Sequence, residues 1–207
     1  CESKGVQVQQ YHADNGIFKA HKWVNHCYAA GQSLTFARVN AHHQNGRAER
    51  KIQSLQDMTR TSLIHANKRW PEAITTNLWP YAMRMANDSL NATPRLKDQH
   101  KRSPLELFTG VNPDDNQKHW YHFGCPVFVL ENALQSGNIF HKWKGRSRMG
   151  IYLGKPPIHN RTVALVLHAQ TGYVSPQFHV EMDLSFHSVR PTTGQDKVKI
   201  LWPVRTG

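Results

Sequence analysis

Two carboxylates stand where they could do chemistry together. Asp14 lies in His12-Ala13-Asp14-Asn15-Gly16, and Glu49 in His43-Gln44-Asn45-Gly46-Arg47-Ala48-Glu49-Arg50-Lys51. They are 49 − 14 = 35 positions apart. Asp14 falls at the exit of a strand-like stretch, where a sheet can point a carboxylate into a cleft. Glu49 falls in the first turn of a helix, beside a glycine-containing loop. Two carboxylates on different rigid elements suit Mg²⁺, which takes one or two of them and fills its shell with water and substrate phosphate oxygens. Taken singly, each residue has an ordinary role. Asp-Asn-Gly is a common turn, and an acid in a first helical turn is favoured by the helix dipole. It is the pairing that points to a metal site.

The elements that must position the pair follow from periodicity. Val6 to Tyr11 alternates apolar and polar residues and reads as a strand ending near His12, with Asn15-Gly16 as a turn. Phe18, Trp23, Cys27 and Ala30 have helical spacing, stopped by Gly31. Ser33 to Val39 is strand-like, and Asn40 to Gly46 is a polar loop. A long helix runs from about Arg47 toward Pro71, with Ile52, Leu55, Met58, Thr59, Ser62 and Leu63 as its buried stripe. Glu49, Gln53, Gln56 and Arg60 recur at i, i+4, i+7 and i+11 and so share its polar face. A second helix is expected over Pro71 to Leu90, with the proline in its first turn and with Trp79 and Tyr81, like Trp70, in the core.

Beyond residue 92 the pattern changes. Pro104 to Phe108 gives one short helical turn ending at Gly110. Short strands follow at 127–130, 149–153, 162–168 and 173–180, the last two flanking a hairpin signal at Ala169-Gln170-Thr171-Gly172. Several short strands at close spacing suggest a small barrel, and the residues from Thr192 read as linker.

Composition narrows the partners. With 39% hydrophobic and 19% charged residues, the 207-residue chain can pack a core, so general disorder is excluded. No run approaches the ~18 apolar residues of a membrane span, and no membrane partner is expected. The formal net charge is +12 and the pI about 9.9, a balance that attracts polyanions and favours nucleic acid. Cys1, Cys27 and Cys125 are far apart and form no CxxC pair, so neither a zinc knuckle nor a disulfide framework is indicated. A reducing, intracellular setting fits. Lys142, Lys144, Arg146 and Arg148, with Trp143 among them, form either a basic and aromatic nucleic-acid patch or a solubilising rim.

At this point the chain resembles a family. HxDNG followed about thirty-five residues later by QNGxAERK looks like the second and third acidic residues of the DDE motif of copia-type retrotransposon integrases. Leu78-Trp79-Pro80-Tyr81-Ala82 resembles the helix after that motif. Ser103-Pro104-Leu105-Glu106-Leu107-Phe108 and Phe123-Gly124-Cys125-Pro126-Val127 resemble two further elements. Ser147 to Gly154 and Val174 to Val180 resemble the SH3-like module beyond them. The resemblance spans about residues 6 to 190. It implies an α/β ribonuclease H-like partial integrase core over 1–92, a connecting region over 93–117, an SH3-like small β-barrel over 118–190, and a linker over 191–207.

The resemblance also implies an activity: DNA integration by Mg²⁺-dependent (or Mn²⁺-dependent) phosphoryl transfer, comprising 3′ processing and strand transfer. Asp14 and Glu49 would be its catalytic metal ligands. Gln44 and Asn45 would position DNA near the cleft. Gln53 and Arg60 would either touch backbone phosphates or form a solvated face. Double-stranded DNA, from element ends and target, would be the partner of a homo-multimer in the nucleus or a virus-like particle. There are departures too. His42-His43 stands where the family commonly has Pro-Gln, and none of the thirteen residues before Asp14 is Asp. The chain begins at Cys1 and is read as a fragment lacking the family's first catalytic aspartate and zinc-binding domain, inactive in isolation. The alternative is a catalytically dead or domesticated DNA-binding remnant.

Overall fold

The computed structural model describes residues 5–13, 16–37, 46–110, 120–139, 141–159 and 162–189. The expected linker from Thr192 lies outside them, as do Asp14, Gln44 and Asn45. Contacts divide the chain into two compact units, residues 1–56 with 90–114 and residues 57–89 with 115–207. This division follows contacts and does not coincide with the boundary near residue 92 expected from motifs.

The first unit is built on a strand–helix–strand. Strand β1 (Gln10–Ala13) and strand β2 (Ser33–Phe36) pair in parallel, Gln10 opposite Ser33 and Ala13 opposite Phe36. Parallel neighbours need a crossover, and helix α1 (His21–Ala29) lies within the connection. Trp23 of α1 meets Tyr11 of β1 edge-on, ring centroids 5.3 Å apart, and Cys27 is fully buried. The helix stops where Gly31 takes φ +67°, letting Gln32 N–H reach back to the Cys27 carbonyl at 2.8 Å. β1 sits later than the alternation at Val6–Tyr11 suggested. A strand exists only where a partner pairs with it, and the β2 register begins at Gln10. The ladder therefore ends immediately before Asp14.

Helix α2 (Gly46–Arg69) follows without a break, as its uninterrupted helix-forming sequence requires. In the second unit its far half joins helix α3 (Trp79–Ala92) against a sheet. Ala66, Trp70, Ile74, Leu78 and Ala82 form one core with Val127, Val129, Ile151, Leu153 and Val166. The expected helix start at Pro71 is not seen. Instead the chain turns so that Ala73 and Ile74 are buried, and Asn67 Nδ2 donates to the Ile74 carbonyl at 2.7 Å. The helix begins at Trp79, with Pro80 in the first turn where a missing N–H leaves no bond unmade. Trp79 is consequently 52% exposed, against the expectation that it is core, whereas Trp70 is buried. Ile52 also departs from its expected stripe at 56% exposed; the buried line of α2 is carried by Thr59, Ala66 and their partly buried neighbours.

Strands β3 (Pro126–Leu130), β4 (Ser147–Tyr152), β5 (Ala164–His168), β6 (Val174–Gln177) and β7 (Val180–Met182) form a five-stranded antiparallel sheet in the order β6-β5-β4-β3-β7. The expected strand over 173–180 is thus two strands on opposite edges, separated by Phe178 and His179. That constrains its shape. A flat sheet would separate the edge strands by about 19 Å, yet the three peptide steps from Gln177 to Val180 reach at most about 11 Å. The sheet must therefore curl until its edges approach. Pro176, which cannot donate to a ladder, sits on an edge strand where that does no harm. The chain is thus a mixed α/β protein with a curled antiparallel sheet.

Helix α4 (Pro104–Thr109) is the expected short turn. Ser103 Oγ accepts from Glu106 N–H at 3.1 Å, Pro104 opens the helix, and Gly110 closes it at φ +71°.

Candidate carboxylate site and basic surfaces

The start of α2 positions Glu49, and the β1–β2 ladder includes Ala13, the residue before Asp14 in the sequence. His12 and Thr35 lie opposite each other, and His12 Nδ1 is 2.9 Å from Thr35 Oγ1, whose hydroxyl also lies 3.2 Å from the Tyr11 carbonyl. These side-chain bonds reinforce the ladder at its last steps, directly before Asp14. Asp14 itself is outside the described residues. Glu49 occupies the first turn of α2 and is exposed, so a solvated ligand could reach it.

Donor type fits a hard cation: carboxylate oxygens, with no thiolate set that would favour zinc. Among the described residues no group of three His, Cys, Asp or Glu side chains is gathered to hold a metal. Asp14 and Glu49 are the two motif carboxylates, and the remaining coordination would have to come from water, substrate or a further acid.

The other expected contacts separate. Gln53 and Arg60 are both exposed on α2, but Arg60 lies beyond the point where the two units divide. Gln44 and Asn45 fall outside the described residues. Lys142, Lys144 and Arg146 are exposed on the connection between α5 (Asn132–Gln135) and β4, as is Trp143 at 82%. Lys142 Nζ sits 5.3 Å from the Trp143 ring centroid, and Lys144 N–H closes a turn onto the His141 carbonyl at 2.9 Å. Trp143 thus presents a solvent-facing indole flanked by cations.

Arg148 does not belong to that loop surface. It lies on β4, its side chain only 19% exposed, with Nη1 3.9 Å from Glu131 Oε2. It faces a cavity together with His168, Ser175 and Gln177, residues the sequence reading did not single out. Their shared face is a product of strand register, which periodicity alone does not supply.

No family model matches the chain, and no curated protein matches it. Among solved structures, the chain is similar to one from the cryo-EM structure of a simian T-cell lymphotropic virus intasome in complex with PP2A regulatory subunit B56 gamma. That match has 15% identity and a TM-score of 0.38, covering 82% of this chain and 54% of the other. The chain thus spans about half the length of that protein. So distant a likeness carries no argument about activity.

Proposed function

We propose that the chain is part of a copia-type retrotransposon integrase, a polynucleotidyl transferase, with residues 1–92 drawn from its ribonuclease H-like core and 118–190 from an SH3-like module. What supports this reading is the pair of motif acids at their spacing in the sequence, together with the placement of the motif residues that the structure describes. His12 and Ala13 of HxDNG lie in the parallel β1–β2 ladder, and the glutamate of QNGxAERK lies in the first turn of a 24-residue helix. The ordered series of further motifs through residue 180 supports the same reading.

In this proposal Asp14 and Glu49 would hold Mg²⁺ (or Mn²⁺), which would supply charge neutralisation at a phosphodiester and a more acidic water or hydroxyl. The chain's own residues would do the rest. The β1–β2 ladder, tied by His12 and Thr35, would fix the direction of the Asp14 carboxylate. Gln44 and Asn45 would place the DNA end. Gln53 would contact backbone phosphates along α2, as would Arg60. Lys142, Lys144 and Arg146 would hold duplex DNA through counterion release, with Trp143 free to stack on an unpaired base. Assembly as a homo-multimer on DNA ends, in a nucleus or virus-like particle, belongs to the same proposal. No helix among the described residues is long and apolar enough to cross a membrane.

The net charge of +12 and the exposed cationic loop favour one competing reading, a remnant that binds DNA without cutting it. The experiment that separates them is strand transfer by the parent protein carrying these residues, with Glu49 intact and with Glu49→Gln. Loss of Mg²⁺-dependent transfer with DNA binding retained supports the integrase. Salt-dependent binding indifferent to both Mg²⁺ and the substitution supports the remnant.

A further inference from the structure

We propose that the second unit carries an oxyanion pocket, built to take a phosphate group between Arg148, His168, Ser175 and Gln177. The cavity has a volume of about 270 Å³ and is lined by Arg148, His168, Thr171, Ser175 and Gln177 together with Met149 of β4 and the rest of the β5–β6 turn. Strand register brings the polar groups together. Gly150 lies opposite His168, and Val166 opposite Ser175. Paired residues share a face and alternate positions share it too. Arg148, Gly150, His168, Ser175 and Gln177 therefore all point to one side. Gly150 is the hinge of this arrangement. A Cβ there would come within 2.5 Å of Val166 Cγ1 and 2.8 Å of the Leu167 carbonyl oxygen, so β5 can approach only a glycine.

The chemistry of the lining is one-sided. It offers a guanidinium, an imidazole, two hydroxyls and the amides of Gln170 and Gln177, and the described residues lining it include no carboxylate. His168 Nε2 is 2.6 Å from Ser175 Oγ, and Gln177 Nε2 lies 2.9 Å from that hydroxyl and 3.3 Å from the imidazole nitrogen. The three side chains thus hold one another in fixed directions. Glu131 Oε2 lies 3.9 Å from Arg148 Nη1, and the planar fork stands in the wall of the cavity. A fixed cluster of donors beside a guanidinium is what a tetrahedral oxyanion requires. Burial, and then the Arg148 charge, hold His168 below its ordinary pKa. A bound anion would act against both and draw a proton onto the ring. The charged group acting on that ring is Arg148, which itself lies 3.9 Å from Glu131.

The pocket is independent of Asp14 and Glu49, so it stands or falls apart from the metal-site reading. The phosphate could be free or could belong to a nucleic acid, and the test distinguishes them. Inorganic phosphate is titrated into the 207-residue chain while His168 ring resonances are followed by NMR, assigned with His168→Gln. Saturable binding, with a Kd on the order of 1 mM for so small a ligand, and a rise in the His168 pKa are expected. Arg148→Gln should weaken binding about ten-fold or more, and Ser175→Ala should weaken it less, both with near-UV circular dichroism unchanged. Should Arg148→Gln unfold the protein, Gln177→Leu provides the same readout from the opposite wall. A short duplex with and without a 5′-phosphate then identifies the source. Competition by only the phosphorylated duplex marks a terminal phosphate, competition by both marks the backbone, and competition by neither marks a free anion. Absence of saturable phosphate binding, or binding unchanged in the folded variants, overturns the proposal.

Discussion

His12 Nδ1 lies 2.9 Å from Thr35 Oγ1, and the two residues face each other across the parallel β1–β2 ladder one step before it ends. The Thr35 hydroxyl also reaches the Tyr11 carbonyl. A short two-stranded ladder is marginal on its own, so these bonds matter to its last paired residues. Thr35→Val keeps the β-branched shape and removes the hydroxyl. It is expected to destabilise the first unit by about 0.5–1.5 kcal/mol, read as faster amide exchange at residues 10–13 and 33–36. Unchanged exchange would show that the bonds contribute nothing.

Gly124 adopts φ +75°, and a Cβ there would lie 2.7 Å from Ala66 Cβ and 3.0 Å from Ile74 Cδ1. Neither neighbour can withdraw, because both are buried in one core. Gly124→Ala therefore combines left-handed backbone strain with overpacking, and a loss of about 2–4 kcal/mol is expected. Urea denaturation of the second unit measures it. A loss below about 0.5 kcal/mol would mean the core yields more easily than this packing allows.

How much of this was legible in the sequence depends on the kind of signal. Helix α4 was legible because its cap residues, Ser103, Pro104 and Gly110, act locally. The long α2 was legible because nothing interrupts it. Trp79 was misplaced because helical spacing does not say where a helix starts, and burial of Ala73 and Ile74 moved the start from Pro71 to Trp79. The stretch 173–180 alternates like one strand, yet the sheet's curl splits it between two edges. Asp14 and Glu49 were conspicuous by type and spacing. His168, Ser175 and Gln177 were not, since only pairing across β4, β5 and β6 gathers them.

Asp98 accepts bonds from the Arg102 side chain at 3.0 and 3.1 Å and from the backbone N–H groups of Arg102 and His100. The Arg102 side-chain bonds above all, then its backbone bond, hold the Asp98 carboxyl far below its ordinary value of 3.8. A carboxyl with a depressed folded-state pKa contributes stability that is present above 3.8 and lost as pH falls through the folded value. Asp98→Asn should therefore flatten the acid limb of stability below about pH 4. Denaturation midpoints across that range check this, and an identical acid limb in wild type and variant would contradict it.

Lys142, Lys144 and Arg146 are exposed around Trp143. If each neutralises a phosphate, replacing all three by Gln should lower the log–log salt slope of duplex binding by about 2.7. Trp143→Ala should leave that slope intact while weakening binding to unpaired ends, because stacking carries little salt dependence. Fluorescence anisotropy at several salt concentrations reads both. An unchanged slope in the triple variant would assign this loop to solubility alone.

The most direct test of the metal-site reading is Mg²⁺-dependent strand transfer by the parent protein, compared between wild type and Glu49→Gln at matched DNA occupancy. Glu49 is exposed in the first turn of α2, so the substitution is expected to leave folding and DNA binding intact. The expected result is active wild type and a fall of roughly 100-fold or more in the variant, with Mn²⁺ supporting the wild type as well. Equal transfer by Glu49→Gln would contradict the reading outright. So would a folded parent protein that binds DNA and transfers none with either metal.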